Sequence, residues 1–251
     1  MKYAIFGKVH DLDIPFIRDD NDPDIVFSFG GDGTMIGAIH KYKSNLENIK
    51  FVGINTGKLG FFTDFKIEEI DKIIKLIKNN EYRLNSYNLL EYTLKSKQYE
   101  LNGIAVNDVA ITNPIHTQNI DVYINDKLFE TFRGTGLLIS PPTGSTAYNK
   151  SLGGSVIDPL IKAIQLTEFA PINNRVFRSL SSPLVLSEHS KIELRFEENE
   201  NIYISVDGKF LAFNHLNNVS AKLSDQTVKF IEKEDTEFFD KVRRSFIANG
   251  D

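Results

Sequence analysis

The chain has 251 residues, 41% of them apolar and 25% charged, which suits one large or two modest globular domains with a real core. A formal charge of −5 leaves no basic stripe of the kind a nucleic-acid binder needs, although a phosphate site can be built locally from backbone amides. The absence of cysteine excludes disulfides, thiolate metal sites and cysteine nucleophiles, and the five histidines (His10, His40, His116, His189, His215) make no His-x-x-x-His pair, which disfavours a zinc enzyme.

Lys2-Tyr3-Ala4-Ile5-Phe6 reads as a strand without the layout of a signal peptide, and no apolar run reaches the roughly 18 residues that span a membrane. The expected compartment is therefore the cytoplasm. Residues 24–29 and 50–55 form two further apolar strands, with a helix at 34–42 between them. The link from Gly7 to Pro23 is short and rich in Asp, so its helix is expected to be short or missing. Ile67, Ile70, Ile73, Ile74 and Ile77 recur at helical spacing. Alternating strands and helices imply a parallel sheet.

From about Tyr87 the pattern becomes β. Residues 92–94, 103–112, 120–124, 184–186, 192–196, 202–206 and 228–231 alternate or run apolar, and Asn125-Asp126-Lys127 has hairpin-turn chemistry. Short strands with turn signals suggest a sandwich. Helices are expected at 145–153 and around 161–168. After an N-cap at Asp235 or Thr236, Phe238, Phe239, Val242 and Phe246 share one face of a last helix.

Four segments carry chemistry. Phe29-Gly30-Gly31-Asp32-Gly33-Thr34 joins a strand to a helix, the junction where open α/β sheets bind ligands. Its glycines permit close backbone approach, the helix amides attract anions, and Asp32 is a carboxylate that a merely structural turn does not require. Asn55-Thr56-Gly57-Lys58-Leu59-Gly60-Phe61-Phe62 ends the next strand, and Phe61 or Phe62 is a candidate for adenine stacking or for the core. Neither segment matches the spacing of the dinucleotide fingerprint or the P-loop. Asn107-Asp108 interrupts an apolar strand with an amide and a carboxylate suited to ribose hydroxyls, or marks a bulge or an edge position. Residues 140–154, Ser-Pro-Pro-Thr-Gly-Ser-Thr-Ala-Tyr-Asn-Lys-Ser-Leu-Gly-Gly, are dense in hydroxyls and small side chains, with Thr143 or Ser145 as a helix cap.

Together these segments resemble the NAD kinase family, in particular its compact bacterial members. The match also runs through Gln165-Leu166-Thr167-Glu168, Ile172-Asn173-Asn174-Arg175 and Ser182-Pro183-Leu184-Val185, and so covers nearly the whole chain in order. Gly-Gly-Asp-Gly-Thr alone is shared with diacylglycerol kinases, sphingosine kinases and phosphofructokinases. Its combination with Pro-Thr-Gly-Ser-Thr-Ala-Tyr is far more specific. The resemblance implies a two-domain α+β protein: a Rossmann-like α/β domain at 1–86, a β-sandwich NAD-binding domain at 87–232, and a C-terminal helix at 233–251 returning to the first domain.

It further implies ATP-dependent phosphorylation of the adenosine-ribose 2′-hydroxyl of NAD, a divalent cation (Mg²⁺) with ligands left unassigned, ATP or polyphosphate as donor, and homodimers or homotetramers. Asp32 is the implied catalytic residue. Gly30, Gly31, Gly33 and Thr34 are implied for the ATP phosphates. For NAD the implied set is Asp32, Gly33, Phe61, Asn107, Asp108, Arg133, Thr135, Thr146, Ala147, Tyr148, Asn149, Lys150, Ser151, Ala170 and Asp207. One departure stands out: Gly134-Thr135-Gly136 occupies a place where the family often has Gly-Asp-Gly, which removes a charge there. The rivals are a lipid kinase of the diacylglycerol kinase type, against which Asn107-Asp108 and Thr146-Ala147-Tyr148 speak, and a non-catalytic nucleotide sensor, against which the intact Asp32 speaks.

Overall fold

The computed structural model describes residues 1–8, 12–57, 60–196, 202–211, 213 and 215–248; His10, Lys58 and Leu59 lie outside them. The chain divides into two compact units, residues 1–87 with 226–251, and residues 88–225. The return to the first unit thus begins before residue 233, because the last strand gives its C-terminal end to the first unit's sheet.

The first unit contains β1 (Lys2–Gly7), β2 (Ile17–Arg18), β3 (Ile25–Phe29), α1 (Asp32–Lys41), β4 (Lys50–Asn55), β5 (Phe65–Lys66), α2 (Ile70–Asn79) and the start of β6 (Arg83–Lys95). The second contains β7 (Glu100–Ala105), β8 (Val109–Thr112), β9 (Gln118–Ile124), β10 (Lys127–Gly134), β11 (Gly136–Ser140), α3 (Tyr148–Ser151), β12 (Ala163–Phe169), β13 (Leu184–Ser187), β14 (Lys191–Arg195), β15 (Tyr203–Val206) and β16 (Lys209–Leu211). β17 (Asn218–Glu232) leads back to the first unit, which ends in α4 (Phe238–Phe246).

In the first unit the strand order is β2-β1-β3-β4-β17, every pair parallel, with β5 also parallel to β4. β3 is buried along its whole length, as expected of a parallel strand covered on both faces. Ile25, Phe27 and Phe29 point to one face with Val52 and Ile54, where Ile73, Ile74 and Ile77 of α2 cover them. The three isoleucines give α2 its single apolar stripe. The described part of the link between β1 and β3 carries β2 and no helix, in keeping with its Asp-rich sequence.

The second unit holds two antiparallel layers. One runs β10-β9-β14 and on to residues 218–222 of β17, with β6 pairing β17 and β7 pairing β6; the other runs β13-β12-β11-β8-β15-β16. Leu90, Leu94, Ile120, Val122, Phe132 and Ile192 from one layer share a single core with Val109, Ile111, Leu137, Ile139 and Leu166 from the other.

Several sequence expectations change. The helix expected around 161–168 is the strand β12, whose Ala-Ile-Gln-Leu-Thr-Glu-Phe is buried at all but one position. The helix expected over 145–153 shrinks to a 3-10 turn at Pro142–Gly144 and the four residues of α3. Neither Thr143 nor Ser145 caps it; its N-cap is Ala147. The strand expected over 103–112 breaks into β7 and β8 around Asn107-Asp108. In α4 the N-cap is Glu237, in a reciprocal capping box with Asp240, and not Asp235 or Thr236. Phe239 is 66% exposed, and the buried residue of this helix is Lys241.

Candidate active site

Within the first unit, β3 and β4 lie side by side and parallel, so both glycine-rich turns leave the same end of the sheet. Gly30 N–H donates to the Ile54 carbonyl at 3.0 Å, tying one turn to the other strand. Gly31 is the N-cap of α1 and Asp32 its first residue. The Thr34 N–H already donates to the Gly31 carbonyl at 2.9 Å, while the amides before it in the first turn have no i−4 carbonyl to bond and carry the positive end of the helix dipole. A Cβ added to Gly31 or Gly33 would meet nothing within 4 Å. Internal packing therefore does not explain the missing side chains, and both positions face open space.

The Asp32 carboxylate is held in one pose. Oδ2 accepts from the Phe61 N–H and Oδ1 from the Phe62 N–H, each at 2.9 Å. The loop that supplies these amides is itself braced: Gly60 N–H donates to Thr63 Oγ1 at 2.9 Å, and Asn55 Nδ2 donates to the same oxygen at 3.0 Å. Phe62 is buried and stacks on Phe230, with centroids 5.4 Å apart and planes 13° from parallel. It is a core residue, not an adenine platform. The half-buried Phe61 ring lies 5.6 Å from Phe246 and 6.2 Å from Phe238 of α4.

A buried charge cluster lies under this loop. Lys241 Nζ is 3.0 Å from both Asp64 Oδ2 and Glu232 Oε1, and these three residues are each 4–5% exposed. Glu232 also accepts from Tyr87 Oη at 2.8 Å and Asn85 Nδ2 at 2.7 Å. Burial pushes the Asp64 carboxyl up from its ordinary value, against the pull of Lys241. Burial and then the Glu232 charge push the Tyr87 phenol up. Sequence reading missed Lys241 and Arg244; their three-residue spacing, on one side of a helix, was the available signal.

Within the second unit, three consecutive N–H groups, those of Val106, Asn107 and Asp108, converge on the Asp207 carboxylate at 2.6–3.2 Å. Successive amides of this kind form an anion nest, here filled by the protein's own carboxylate. Asp207 thereby sets the shape of the Asn107-Asp108 break. Asn107 Oδ1 is buried with no hydrogen-bond partner in the protein. Asp108 is 3% exposed; burial, and then the charge of Asp207, push its carboxyl up to about 7.

The hydroxyl-rich segment packs directly on this break. Thr143 Oγ1 donates to the Val106 carbonyl, and a Cβ on Gly144 would fall 1.7 Å from the Asn107 carbonyl oxygen, so only glycine fits there. Ser145 Oγ both donates to the Ile157 carbonyl and accepts the Ile157 N–H, each at 3.0 Å. Asn149 is fully buried; its Nδ2 donates to the carbonyls of Ser145 and Ser155, and its Oδ1 accepts from Thr167 Oγ1. Its side-chain amide is taken up by the fold, so Asn149 braces this turn. The turn it braces leaves Tyr148 and Ser151 exposed and Thr146, Ala147 and Lys150 half-buried.

The remaining expected residues form a neighbouring group. Thr135 N–H donates to the Phe169 carbonyl at 3.0 Å, and a Cβ on Gly134 would lie 2.7 Å from the Ala170 carbonyl oxygen. Ala170 has φ +41°, a left-handed conformation uncommon for a residue with a side chain. The Arg133 guanidinium lies 3.6 Å from the centroid of the Phe177 ring.

Comparison with known proteins places the chain in a family. Residues 16–82 match the family model of the ATP-NAD kinase N-terminal domain, and residues 102–233 that of the C-terminal domain. The NAD kinase of Lactobacillus gasseri is 40% identical over 231 residues, covering 92% of this chain and 86% of the relative. That of Streptococcus thermophilus is 42% identical over 241 residues, with 92% and 86% covered. Among solved structures, the yeast NADH kinase complexed with NADH superposes with a TM-score of 0.80 at 25% identity, covering 94% of this chain and 71% of that one. The NAD kinase of Archaeoglobus fulgidus, at 22% identity and a TM-score of 0.75, shares the fold across 97% of this chain and 99% of its own. This chain belongs to the NAD kinase family.

Proposed function

We propose that this protein transfers the terminal phosphoryl group of ATP to the 2′-hydroxyl of the adenosine ribose of NAD, giving NADP. The observation that carries the reading is the Asp32 carboxylate, fixed by two backbone amides at the mouth of a glycine-rich strand–helix junction. Phosphoryl transfer passes through a loose transition state, so catalysis rests on positioning and charge neutralisation. A carboxylate is a far weaker base than the alkoxide it would have to generate, so early removal of the proton from an alcohol is disfavoured. Asp32 instead orients the hydroxyl and takes its proton late, as the O–P bond forms. The open backbone at Gly31 and Gly33, with Gly30 and Thr34, receives the phosphates.

On the same reading, Asn107 and Asp108 take ribose hydroxyls, and Thr146, Ala147, Tyr148, Lys150 and Ser151 line the nucleotide pocket. Phe61, Arg133, Thr135 and Ala170 complete the NAD set. That a solved relative is an NADH kinase complexed with NADH supports a nicotinamide dinucleotide as the substrate class. The α/β unit is read as Rossmann-like and the all-β unit as a sandwich. Homodimers or homotetramers and a cytoplasmic setting belong to the same proposal, carried by the sequence resemblance.

Among the described residues no group of three or more His, Asp or Glu side chains is placed to hold a metal. Mg²⁺ keeps several waters and binds through one or two carboxylates plus substrate phosphates, a demand that the Asp32 carboxylate beside the proposed phosphate site would meet. Asp32 would be its protein contact, since each oxygen keeps a second lone pair beside the bonded amide. The ion's contribution would be to neutralise charge on the phosphates.

The test is direct. Purified protein given ATP, Mg²⁺ and NAD should form NADP, and diacylglycerol in place of NAD should yield no phosphorylated product. Asp32→Asn should still bind NAD but lose about a hundredfold or more in turnover. Near-parental turnover in that variant would remove Asp32 from the chemistry.

A further inference from the structure

The amides that hold Asp32 belong to peptide groups whose other ends are held by cations. The Phe61 N–H that bonds Asp32 Oδ2 shares its peptide plane with the Gly60 carbonyl, which accepts from Arg244 Nη2 at 2.9 Å. The Phe62 N–H that bonds Asp32 Oδ1 shares its plane with the Phe61 carbonyl, which accepts from Lys241 Nζ at 3.1 Å. Two parallel relays thus run cation, peptide, carboxylate. Each peptide dipole has its oxygen toward a cation and its hydrogen toward an anion, so the bonds in each chain polarise one another.

The fold commits heavily to this arrangement. Burying Lys241 with Asp64 and Glu232 carries a desolvation penalty that apolar side chains of similar size would avoid. Stability alone does not account for the choice, whereas a fixed carbonyl-facing cation does. Phe238 and Phe246 of the same helix flank the Phe61 ring, so α4 grips the loop by ring packing as well as by charge.

We propose that Lys241 and Arg244 are positioning residues for Asp32, and that α4 is the clamp that fixes the Asp32 carboxylate through the peptide groups of Gly60-Phe61 and Phe61-Phe62. This rests on the role proposed for Asp32. Arg244 is the better probe, because it is half-buried and its loss leaves no buried carboxylate unpaired, unlike that of Lys241.

The experiment uses the full chain. Arg244→Met should lower kcat about tenfold while the KM for NAD and for ATP stay within about twofold, and Arg244→Lys should recover most of the loss. In an Asp32→Asn background the same Arg244→Met change should cost less than about twofold, because the group it positions is gone. Amide hydrogen exchange at Phe61 and Phe62 should quicken in Arg244→Met. Should that variant not fold, Arg244→Gln gives the same comparison. Unchanged kcat in a folded variant, or an equal loss in the Asp32→Asn background, overturns the proposal. If the parent forms no NADP from NAD and ATP, the reading of function fails instead, and amide exchange alone decides whether the relay exists.

Discussion

The Asp32 carboxylate occupies the space that a side chain on Gly60 would need: a Cβ there would lie 2.2 Å from Oδ1 and 2.6 Å from Oδ2. Two turns at the ends of adjacent parallel strands are thus fitted to each other at atomic contact. The glycine in one is required by the carboxylate in the other.

Gly60→Ala should therefore fold and fail as a catalyst. The methyl group forces Asp32 or the loop to move by about an ångström, and misplacement on that scale costs on the order of a hundredfold in rate. We expect kcat to fall by that order with little change in melting temperature. Steady-state kinetics beside a thermal melt checks it; parental turnover would show that the reaction tolerates a displaced Asp32.

Much of this was readable in the sequence, and the failures have physical causes. β3 and β4 were legible because parallel strands covered on both faces run apolar without a break, and α2 because its isoleucines repeat at helical spacing. β12 was misread as a helix although Ile164 and Leu166 alternate with Gln165 and Thr167: its polar residues look like a solvent-facing side, and the structure buries Gln165 and Thr167 as fully as the apolar set. The break at Asn107-Asp108 depends on a carboxylate from Asp207, which no local pattern reports. Lys241 reads as a solvent-facing lysine until Asp64 and Glu232 are placed beside it. Asp32 itself was legible, but what holds it was not.

Gly33 tests the claim that open space in the first turn of α1 belongs to a ligand. It lies inside the helix, where glycine costs roughly 1 kcal/mol relative to alanine, and no neighbour opposes a methyl group. Gly33→Ala should raise the melting temperature slightly while raising the KM for ATP by about tenfold or more. A stabilised variant with parental ATP kinetics would show that phosphates do not approach this backbone.

With Asp108 in its proposed place at the ribose, both stability and NAD use should depend on pH. Folding holds its carboxyl at about 7, because burial and then the Asp207 charge oppose ionisation, while the unfolded chain leaves it near 3.8. Between those values the folded protein keeps a proton that the unfolded chain releases. Stability should thus fall as pH rises from about 4 to about 7, by at most about 1.4 kcal/mol per unit, and level off above. Ribose hydroxyls donate best to the ionised form, so the KM for NAD should fall as pH rises through about 7. In Asp108→Asn both slopes should flatten. A parent whose KM for NAD is constant from pH 6 to 8 would separate Asp108 from the ribose.

Glu130 and Glu168 supply a second proton-dependent contact, on the segment after Ala170. Glu130 Oε2 accepts the Leu180 N–H at 2.9 Å and Glu168 Oε2 the Ser181 N–H at 3.1 Å, while Glu130 Oε1 is buried with no partner. Burial and then the Glu130 charge push the Glu168 carboxyl up to about 7 from an ordinary 4.5. A proton retained by Glu168 relieves the repulsion between the two carboxylates, and that relief is present at acid pH and lost as pH rises through about 7. The segment these carboxylates hold contains Arg175 and Arg178, which offer trypsin two sites. Cleavage there should be faster at pH 8 than at pH 6 in the parent relative to Glu168→Gln, whose neutral amide keeps the contact at both. Equal ratios of parent to variant cleavage at the two pH values would mean that the pair does not share a proton.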